Sequence, residues 1–204
     1  LNGSLRYTYE TKDANFQNYS GPLAATERTG TLTADFDGHI AHGTVDPAAS
    51  LQYDLNRNAM LYVSFGKGSK SGGFQGAISN AAPGTFTFKP ERSTSFEGGA
   101  KITLPRIGYI NVSGFYTTYR DLQVSTALPS PDGLTAPYFT GNAPKARTIG
   151  AEAELLLRLA RFFEIQGSLA WLPTAKYIRF TSGPCYIGRT ADGSQPGSCD
   201  QSGS

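Results

Sequence analysis

The sequence predicts an all-β fold, an antiparallel up-and-down transmembrane β-barrel wall of about seven strands. Segments in which apolar and polar residues alternate one by one recur along the 204-residue chain. The connections between these segments are alternately short and polar, or long and rich in Gly and Pro. Outer-membrane barrels have this pattern, because their brief turns lie on one side of the bilayer and their long loops on the other.

Three strands are predicted in the N-terminal half, at about residues 4–10, 48–55 and 60–66. Apolar residues occupy every second position of each segment, beginning with Leu5, Leu51 and Leu61. Because successive side chains of a strand point to opposite faces, each segment has one apolar and one polar surface. A tilted strand needs about 9–11 residues to cross a bilayer, and these segments approach that length.

Four more strands are predicted at about residues 94–104, 108–122, 146–158 and 162–172. The clearest alternation runs from Thr148 to Leu159, where the odd-numbered positions are apolar and Glu152 and Glu154 lie on the other face. Leu156 is the exception in that segment. A helix would place those carboxylates around its circumference, so the pattern favours a strand.

The connections fix the topology. Residues 56–58, 105–108 and 160–161 are short enough for hairpins between antiparallel neighbours. Long loops are predicted at 11–44, 66–90, 125–145 and from Pro173 to the C-terminus. Structureless loops of more than about 12–15 residues are uncommon in a compact soluble domain. Their strict alternation with tight turns therefore favours a wall that crosses a membrane.

Composition narrows the function classes. The formal net charge is +2, so no basic field predicts a nucleic-acid partner, and no Lys/Arg cluster in the sequence predicts binding to anionic lipid. No apolar run reaches the ~18 residues of a membrane-spanning helix. The chain begins at Leu1, with no initiator Met or signal peptide, and ends in Gly and Ser. We therefore expect a partial piece of a longer protein.

The polar face of the strands is expected to line a hydrated lumen. Its residues would solvate the wall and pair with a plug, and they are Gln52, Asp54, Glu97, Lys101, Asn111, Glu152, Glu154 and Gln166. Tyr7, Tyr9, Tyr116 and Trp171 are expected in the aromatic girdle at the membrane interface. The loop aromatics could contact a ligand or extend that girdle, and they are Phe74, Phe86, Phe88, Tyr138, Phe139 and Tyr177.

The two cysteines, Cys185 and Cys199, both lie in the last polar stretch and lack the spacing of a redox or zinc motif. A disulfide that closes one loop in an oxidising compartment is predicted, and two free thiols are the alternative. Closing a loop of this length would stabilise it by about 3 kcal/mol in the chain-entropy model.

Other candidate chemistry is weak. Residues 35–42 bring two Asp near His39 and His42, but the spacing matches no metal site, and Asp-Gly is ordinary turn chemistry. The Gly-rich run 66–73 lacks the ending of a phosphate loop. It reads better as a strand leaving the membrane, with Lys67 and Lys70 reaching head groups or lipopolysaccharide phosphates. No metal site, cofactor or enzyme activity is predicted.

Several stretches resemble, in order, the β-barrel domain of TonB-dependent receptors, especially the siderophore-receptor branch. They are SLQYDL at 50–55, MLYVSFGKG at 60–68, SGGF at 71–74, FKPE at 88–91, SFEGG at 95–99, FYTTYRDLQV at 115–124, Asn142-Ala143, and GAE at 150–152. The resemblance covers about residues 5–171. Its specificity comes from the order and spacing of the pieces, which coincide with the turns read independently.

The resemblance implies that residues 1–204 are part of a barrel of about 22 strands with a plugged lumen, and that the plug domain is absent from this chain. It implies a place in the Gram-negative outer membrane, in contact with lipid and lipopolysaccharide. The implied function is active uptake of a scarce nutrient, with a ferric siderophore as the expected ligand. TonB would act through the plug domain.

Two further classes stay open on the sequence. One is a passive porin or an outer-membrane enzyme barrel, although no Gly-x-Ser-x-Gly elbow accompanies the two histidines. The other is a soluble β-sandwich binding domain whose loops present a partner site. Seven strands cannot close a wall of this kind, so the isolated chain is expected to aggregate, to oligomerise through its edges or to need detergent.

Overall fold

The computed structural model describes residues 1–20, 31–75, 87–127, 138–183, 185, 192–193 and 198–204. None of these residues forms a helix with the length and hydropathy that a membrane crossing requires. The strands are β1 (Asn2–Ser20), β2 (Thr31–Asn56), β3 (Ala59–Lys70), β4 (Gly73–Phe74), β5 (Thr87–Phe88), β6 (Glu91–Leu104), β7 (Gly108–Ala127), β8 (Tyr138–Ala160) and β9 (Phe163–Arg179).

Seven long strands form one antiparallel sheet in the order β1-β2-β3-β6-β7-β8-β9. The short strands β4 and β5 pair with each other, and we call this pair the inner sheet. The prediction of an up-and-down wall of about seven strands is therefore confirmed. Among the strands of the described residues, β1 pairs only with β2 and β9 only with β8, so this part of the wall is not closed into a barrel.

The two faces of the wall differ as the alternation predicts. Cross-strand pairing places directly opposed residues on the same face, which gives continuous rungs across the sheet. Apolar side chains of the outer face lie open to their surroundings, with Tyr53 67%, Leu169 68% and Trp171 65% exposed. A β-sandwich would bury such a face against a second sheet, and the described residues supply none. The soluble sandwich alternative is therefore wrong.

The height of the apolar face fits a bilayer. On β8 the outward apolar positions run from Ile149 to Leu159. Ten residues at about 3.3 Å each, tilted by about 40°, give a band of roughly 25 Å, the height found in outer-membrane barrels. The polar residue that follows on this face at the long-loop end is Arg147.

The tight turns form where they were predicted. In the first, the Asn58 amide donates to the Asn56 side-chain oxygen at 2.8 Å. The second contains Arg106 at φ 69° and Gly108 at φ 148°. A Cβ on Gly108 would lie 1.8 Å from the Leu156 carbonyl oxygen, so only glycine fits this hairpin.

The strands extend well past their predicted ends, so the long-loop boundaries from sequence were wrong. The largest changes are in β1, which continues from residue 10 to Ser20, and in β2, which begins at Thr31 instead of 48. Likewise β8 begins at Tyr138 and β9 ends at Arg179. Above a membrane both faces of a hairpin meet water, so pairing continues without the apolar alternation that reveals a strand.

Candidate functional site

The inner face of the wall carries a polar depression of about 530 Å³ midway along the strands. Five of the predicted lumen-facing residues line it, namely Glu97, Lys101, Asn111, Glu152 and Glu154, together with Tyr62, Ser113 and Ser168. Gln52 is opposed to Tyr62 in the register and Asp54 to Met60, which puts both beside the depression on the same face. Gln166 is opposed to Leu156, so the apolar exception of β8 also lies on the inner face.

Hydrogen bonds join neighbouring strands across this face. The Tyr62 hydroxyl donates to Glu97 Oε1 at 2.6 Å, and the Lys101 ammonium lies 5.6 Å from the centre of the Tyr62 ring. A Cβ on Gly99 would lie 2.7 Å from that ring, so glycine lets the phenol lie close to β6. The carboxylate thus has a hydroxyl partner, which satisfies it without an ion pair.

A second group lies nearer the short turns. Glu154 accepts from the Tyr109 hydroxyl at 3.0 Å and from Asn111 Nδ2 at 3.1 Å. Neither Tyr62 nor Tyr109 was predicted from the sequence to be a functional residue. Both residues occupy polar-face positions in the alternation, which could have placed them on the inner face. Because they are aromatic, they were not counted among the polar residues.

The inner sheet lies across the inner face at the long-loop end. On one side, Lys12 Nζ of β1 donates to Ser71 Oγ and to the Gly72 carbonyl, the latter at 2.8 Å. The Phe74 ring lies 5.5 Å from that of Phe36 in β2. Gly72 and Gly73 are buried, and a Cβ on Gly73 would lie 2.6 Å from the Phe88 ring, so two glycines allow this close packing.

On the other side, β7 and β8 hold the inner sheet by their side chains. Asn142 accepts from the Lys89 amide at 2.8 Å, and its Nδ2 donates to the carbonyls of Lys89 at 3.0 Å and Asp121 at 2.7 Å. Gln123 Nε2 donates to the Ser71 carbonyl at 2.8 Å. The inner sheet therefore bridges two parts of the wall that are four strands apart in the sheet order.

The predicted loop aromatics do not form one cluster in the described residues. Phe74 and Phe88 lie together in the inner sheet. Tyr177 belongs to β9, and its ring lies 5.0 Å from Phe180, where the C-terminal segment returns to pair with it. Tyr138 and Phe139 begin β8, but their side chains lie outside the described residues, as does Phe86 entirely.

Asp46 of β2 is a buried carboxylate, 8% exposed. It accepts from Arg6 Nη2 at 3.0 Å and from Ser69 Oγ at 2.7 Å. This ion pair and this hydroxyl group join β1, β2 and β3 at Asp46. Buried charges are tolerated when they are paired in this way.

The Asp/His segment of the predicted first loop lies in β2. His39 Nδ1 contacts Asp13 Oδ1 at 2.6 Å at an exposed position, and His42 Nε2 lies 3.5 Å from Arg92 Nη2. Within the described ranges, no three metal-ligating side chains come together.

The structure joins Cys185 and Cys199 by a disulfide with an S–S distance of 2.06 Å. Gly183 and Cys199 form a β-bridge beside it. The last residues then return to β9, where the Gly203 amide donates to the Tyr177 carbonyl at 2.6 Å. The C-terminal segment is thus tied to the long-loop end of the wall.

The family model for the TonB-dependent receptor-like β-barrel matches residues 1–198. This chain belongs to the TonB-dependent receptor family. Members of the family are outer-membrane β-barrels of Gram-negative bacteria, and they act as transport receptors rather than as enzymes. No curated protein sequence is significantly similar to the chain.

Solved structures share the receptor fold. The ferric yersiniabactin uptake receptor FyuA of Yersinia pestis is 20% identical with a TM-score of 0.61, over 82% of this chain and 23% of its own. The copper transporter OprC is 18% identical with a TM-score of 0.62, over 83% and 26%. The hemophore receptor HasR of Serratia marcescens is 20% identical with a TM-score of 0.56, over 84% and 31%. The chain therefore spans less than a third of these receptors.

Proposed function

We propose that this chain is a wall segment of an outer-membrane receptor that takes up a ferric siderophore by TonB-dependent transport. The observation that carries the proposal is an amphipathic wall whose polar inner face is crossed by the inner sheet, in a chain of this family. The likeness to FyuA, a ferric yersiniabactin uptake receptor, supports the choice of cargo.

In the proposed receptor the outer face meets lipid and lipopolysaccharide of the Gram-negative outer membrane. A plug domain outside this chain fills the lumen and connects the receptor to TonB. The polar residues around Glu97 and Glu154 hold water and face the plug. The carboxylates and amides there already have hydrogen-bond partners within the wall. Their role is to keep the lumen hydrated.

The ligand would meet the inner sheet first. Phe74 and Phe88 lie on β4 and β5, at the long-loop end of the inner face, and both are half-buried. Aromatic rings supply flat apolar contact with little loss of conformational freedom, which suits catecholate or phenolate groups of a chelator. We infer that these two rings contribute to the entry site.

Uptake of radioactive iron tests the proposal. A strain lacking the gene is supplied with ferric catecholate, hydroxamate or phenolate chelators under iron limitation, and is compared with the same strain carrying the gene. We expect uptake of one class that requires both the gene and TonB. Gene-dependent uptake that continues without TonB would instead indicate a passive pore, and no gene-dependent uptake of any class would overturn the iron assignment.

A Phe74→Ala and Phe88→Ala pair tests the entry site. We expect a higher apparent KM for iron uptake at an unchanged amount of receptor in the outer membrane. Phe65→Ala is the matched control, because its ring contacts Phe96 on the outer face at 5.1 Å, away from the lumen. Unchanged uptake by the double variant would exclude these rings from ligand capture.

A further inference from the structure

The inner sheet is joined to the wall strands by very short connectors. Residues 71–72 join β3 to β4, and residues 89–90 join β5 to β6. A lid that swings open needs residues at its base that are free to change φ and ψ. These two connectors are the base of the inner sheet, and Pro90 fixes one backbone dihedral of the second.

The wall holds both connectors at their backbone. Lys12 Nζ of β1 donates to the Gly72 carbonyl at 2.8 Å. Gln123 Nε2 of β7 donates to the carbonyls of Ser71 at 2.8 Å and Lys89 at 3.2 Å. The backbone groups that a hinge would have to turn are therefore bonded to strands on both sides of the inner sheet. Opening would leave these carbonyls without their partners, which opposes it.

Two carboxamide side chains complete the attachment by reciprocal hydrogen bonds. Asn142 of β8 accepts from the Lys89 amide and donates to the Lys89 carbonyl. Gln75, which follows β4, accepts from the Thr140 amide at 3.1 Å and donates to the Thr140 carbonyl. Each carboxamide thus exchanges two bonds with one residue, as paired residues of antiparallel strands do. Carboxamides do not titrate, so these two attachments do not depend on pH.

The inner sheet also packs against the wall without spare room. A Cβ on Gly72 would lie 2.5 Å from the Phe88 carbonyl oxygen, and one on Gly38 of β2 would lie 2.8 Å from the Phe74 ring. Sheets that stack face to face lie about 10 Å apart. The inner sheet therefore adds one layer inside the wall between β1 and β8, and it narrows the long-loop mouth of the lumen by about that thickness.

We propose that the inner sheet is a fixed partition at the long-loop mouth, which keeps bulky solutes from the polar depression and stays in place during transport. Cargo passes beside the inner sheet, so the inner sheet limits the size of the chelate that enters. This inference rests on the proposed function only for the passage of iron. The exclusion of bulky solutes does not depend on the identity of the cargo.

Thiol labelling of the full-length receptor on intact cells measures this exclusion. Ser113→Cys supplies a thiol in the polar depression, and Asn15→Cys supplies one at an exposed position of β1. The probes are fluorescein maleimide, which is small, and maleimide coupled to a polyethylene glycol of several kilodaltons. Cys185 and Cys199 are bonded to each other and do not react. The receptor without an introduced cysteine gives the background.

The test variant loses three attachments of the inner sheet, with Lys12→Ala, Gln123→Ala and Asn142→Ala together. The control loses three polar side chains at the short-turn end, with Asn56→Ala, Arg158→Ala and Glu164→Ala together. We expect the polymer to label the Ser113→Cys thiol on the order of tenfold faster in the test variant than in the parent, because the inner sheet opens more often. The control should match the parent, and the Asn15→Cys thiol should react equally in all three backgrounds.

A crosslink tests whether the partition moves during transport. Lys12→Cys with Ser71→Cys, and separately Gln123→Cys with Ser71→Cys, are joined by a bifunctional thiosulfonate whose chain takes the place of the removed side chain. Both crosslinked receptors should take up the parent's ferric chelator at the parent's rate, because a fixed inner sheet need not open. The single-cysteine variants treated with the same reagent are the matched controls, because they carry the reagent without the link.

Equal polymer labelling of parent and test variant, or an equal rise in the control, would overturn the partition. Uptake that is lost only in the crosslinked pairs would identify a moving gate and would overturn it as well. Polymer exclusion without any iron uptake by the parent would refute the proposed cargo alone. If the triple variant does not reach the outer membrane, Asn142→Ala alone takes its place, with Asn111→Ala as its control.

Discussion

Replacing Asn142 by alanine should release the inner sheet from the β7–β8 side of the wall. The side chain makes three hydrogen bonds, to the amide and carbonyl of Lys89 and to the carbonyl of Asp121. Two of them are exposed and one is half-buried, so each contributes about 0.5–1 kcal/mol, and their loss lowers the free energy of local opening by about 2 kcal/mol. That corresponds to roughly thirtyfold faster exchange of the amides that open with the inner sheet.

Hydrogen exchange with mass spectrometry on the full-length receptor measures this change in peptides covering residues 87–91. Asn111→Ala is the matched control, because Asn111 also lies on the inner face and donates to Glu154 at 3.1 Å, far from Lys89. Exchange in 87–91 should rise in the first variant only. Equal exchange rates in the parent and in Asn142→Ala would mean that the inner sheet does not depend on the hydrogen bonds of Asn142.

Three more outcomes are expected. Leu169→Lys places a charge near mid-height on the lipid face and should lower the free energy of unfolding, measured with urea in bilayers, by about 2–4 kcal/mol. Ser168→Lys, on the polar face, should lower it far less. Equal losses in the two variants would contradict the assignment of faces. Tyr62→Phe removes the 2.6 Å hydrogen bond to Glu97 and should lower the free energy of unfolding by about 1–2 kcal/mol in the same assay. A change near zero would argue against a structural role of the Tyr62 hydroxyl. Cys199→Ser breaks the disulfide between residues 14 positions apart and should lower the local stability of the closed loop by about 3 kcal/mol. We expect faster proteolysis of residues 180–204 and an unchanged midpoint of barrel unfolding. A lower unfolding midpoint would show that the disulfide supports the wall.

The sequence predicted the strands best in the segments that contact lipid. Side chains of a strand in a bilayer must alternate between hydrocarbon and lumen, so the alternation of residues 148–159 was enough to assign a strand and its two faces. The turn at Gly108 was equally readable, because tight hairpins need specific residue types. Both depend on interactions within a few residues.

Other features depend on contacts that are distant in sequence. Lys12 and Asp13 lie in a strand whose two faces are both polar, so no alternation distinguished β1 there from a loop. The inner sheet requires Asn142 to meet Lys89, and neither residue predicts the other. Arg120 likewise lies opposite Lys145, a pairing that only the β7–β8 register establishes.

Each long strand pairs with the next long strand along the chain, and only between β3 and β6 does the inner sheet intervene in the sequence of described strands. Closing each hairpin therefore costs little chain entropy, and the wall can be assembled by zippering one hairpin onto the last. The β3–β6 junction is the step at which zippering must wait for the inner sheet to move aside. Folding of this part of the barrel is expected to be slowest there.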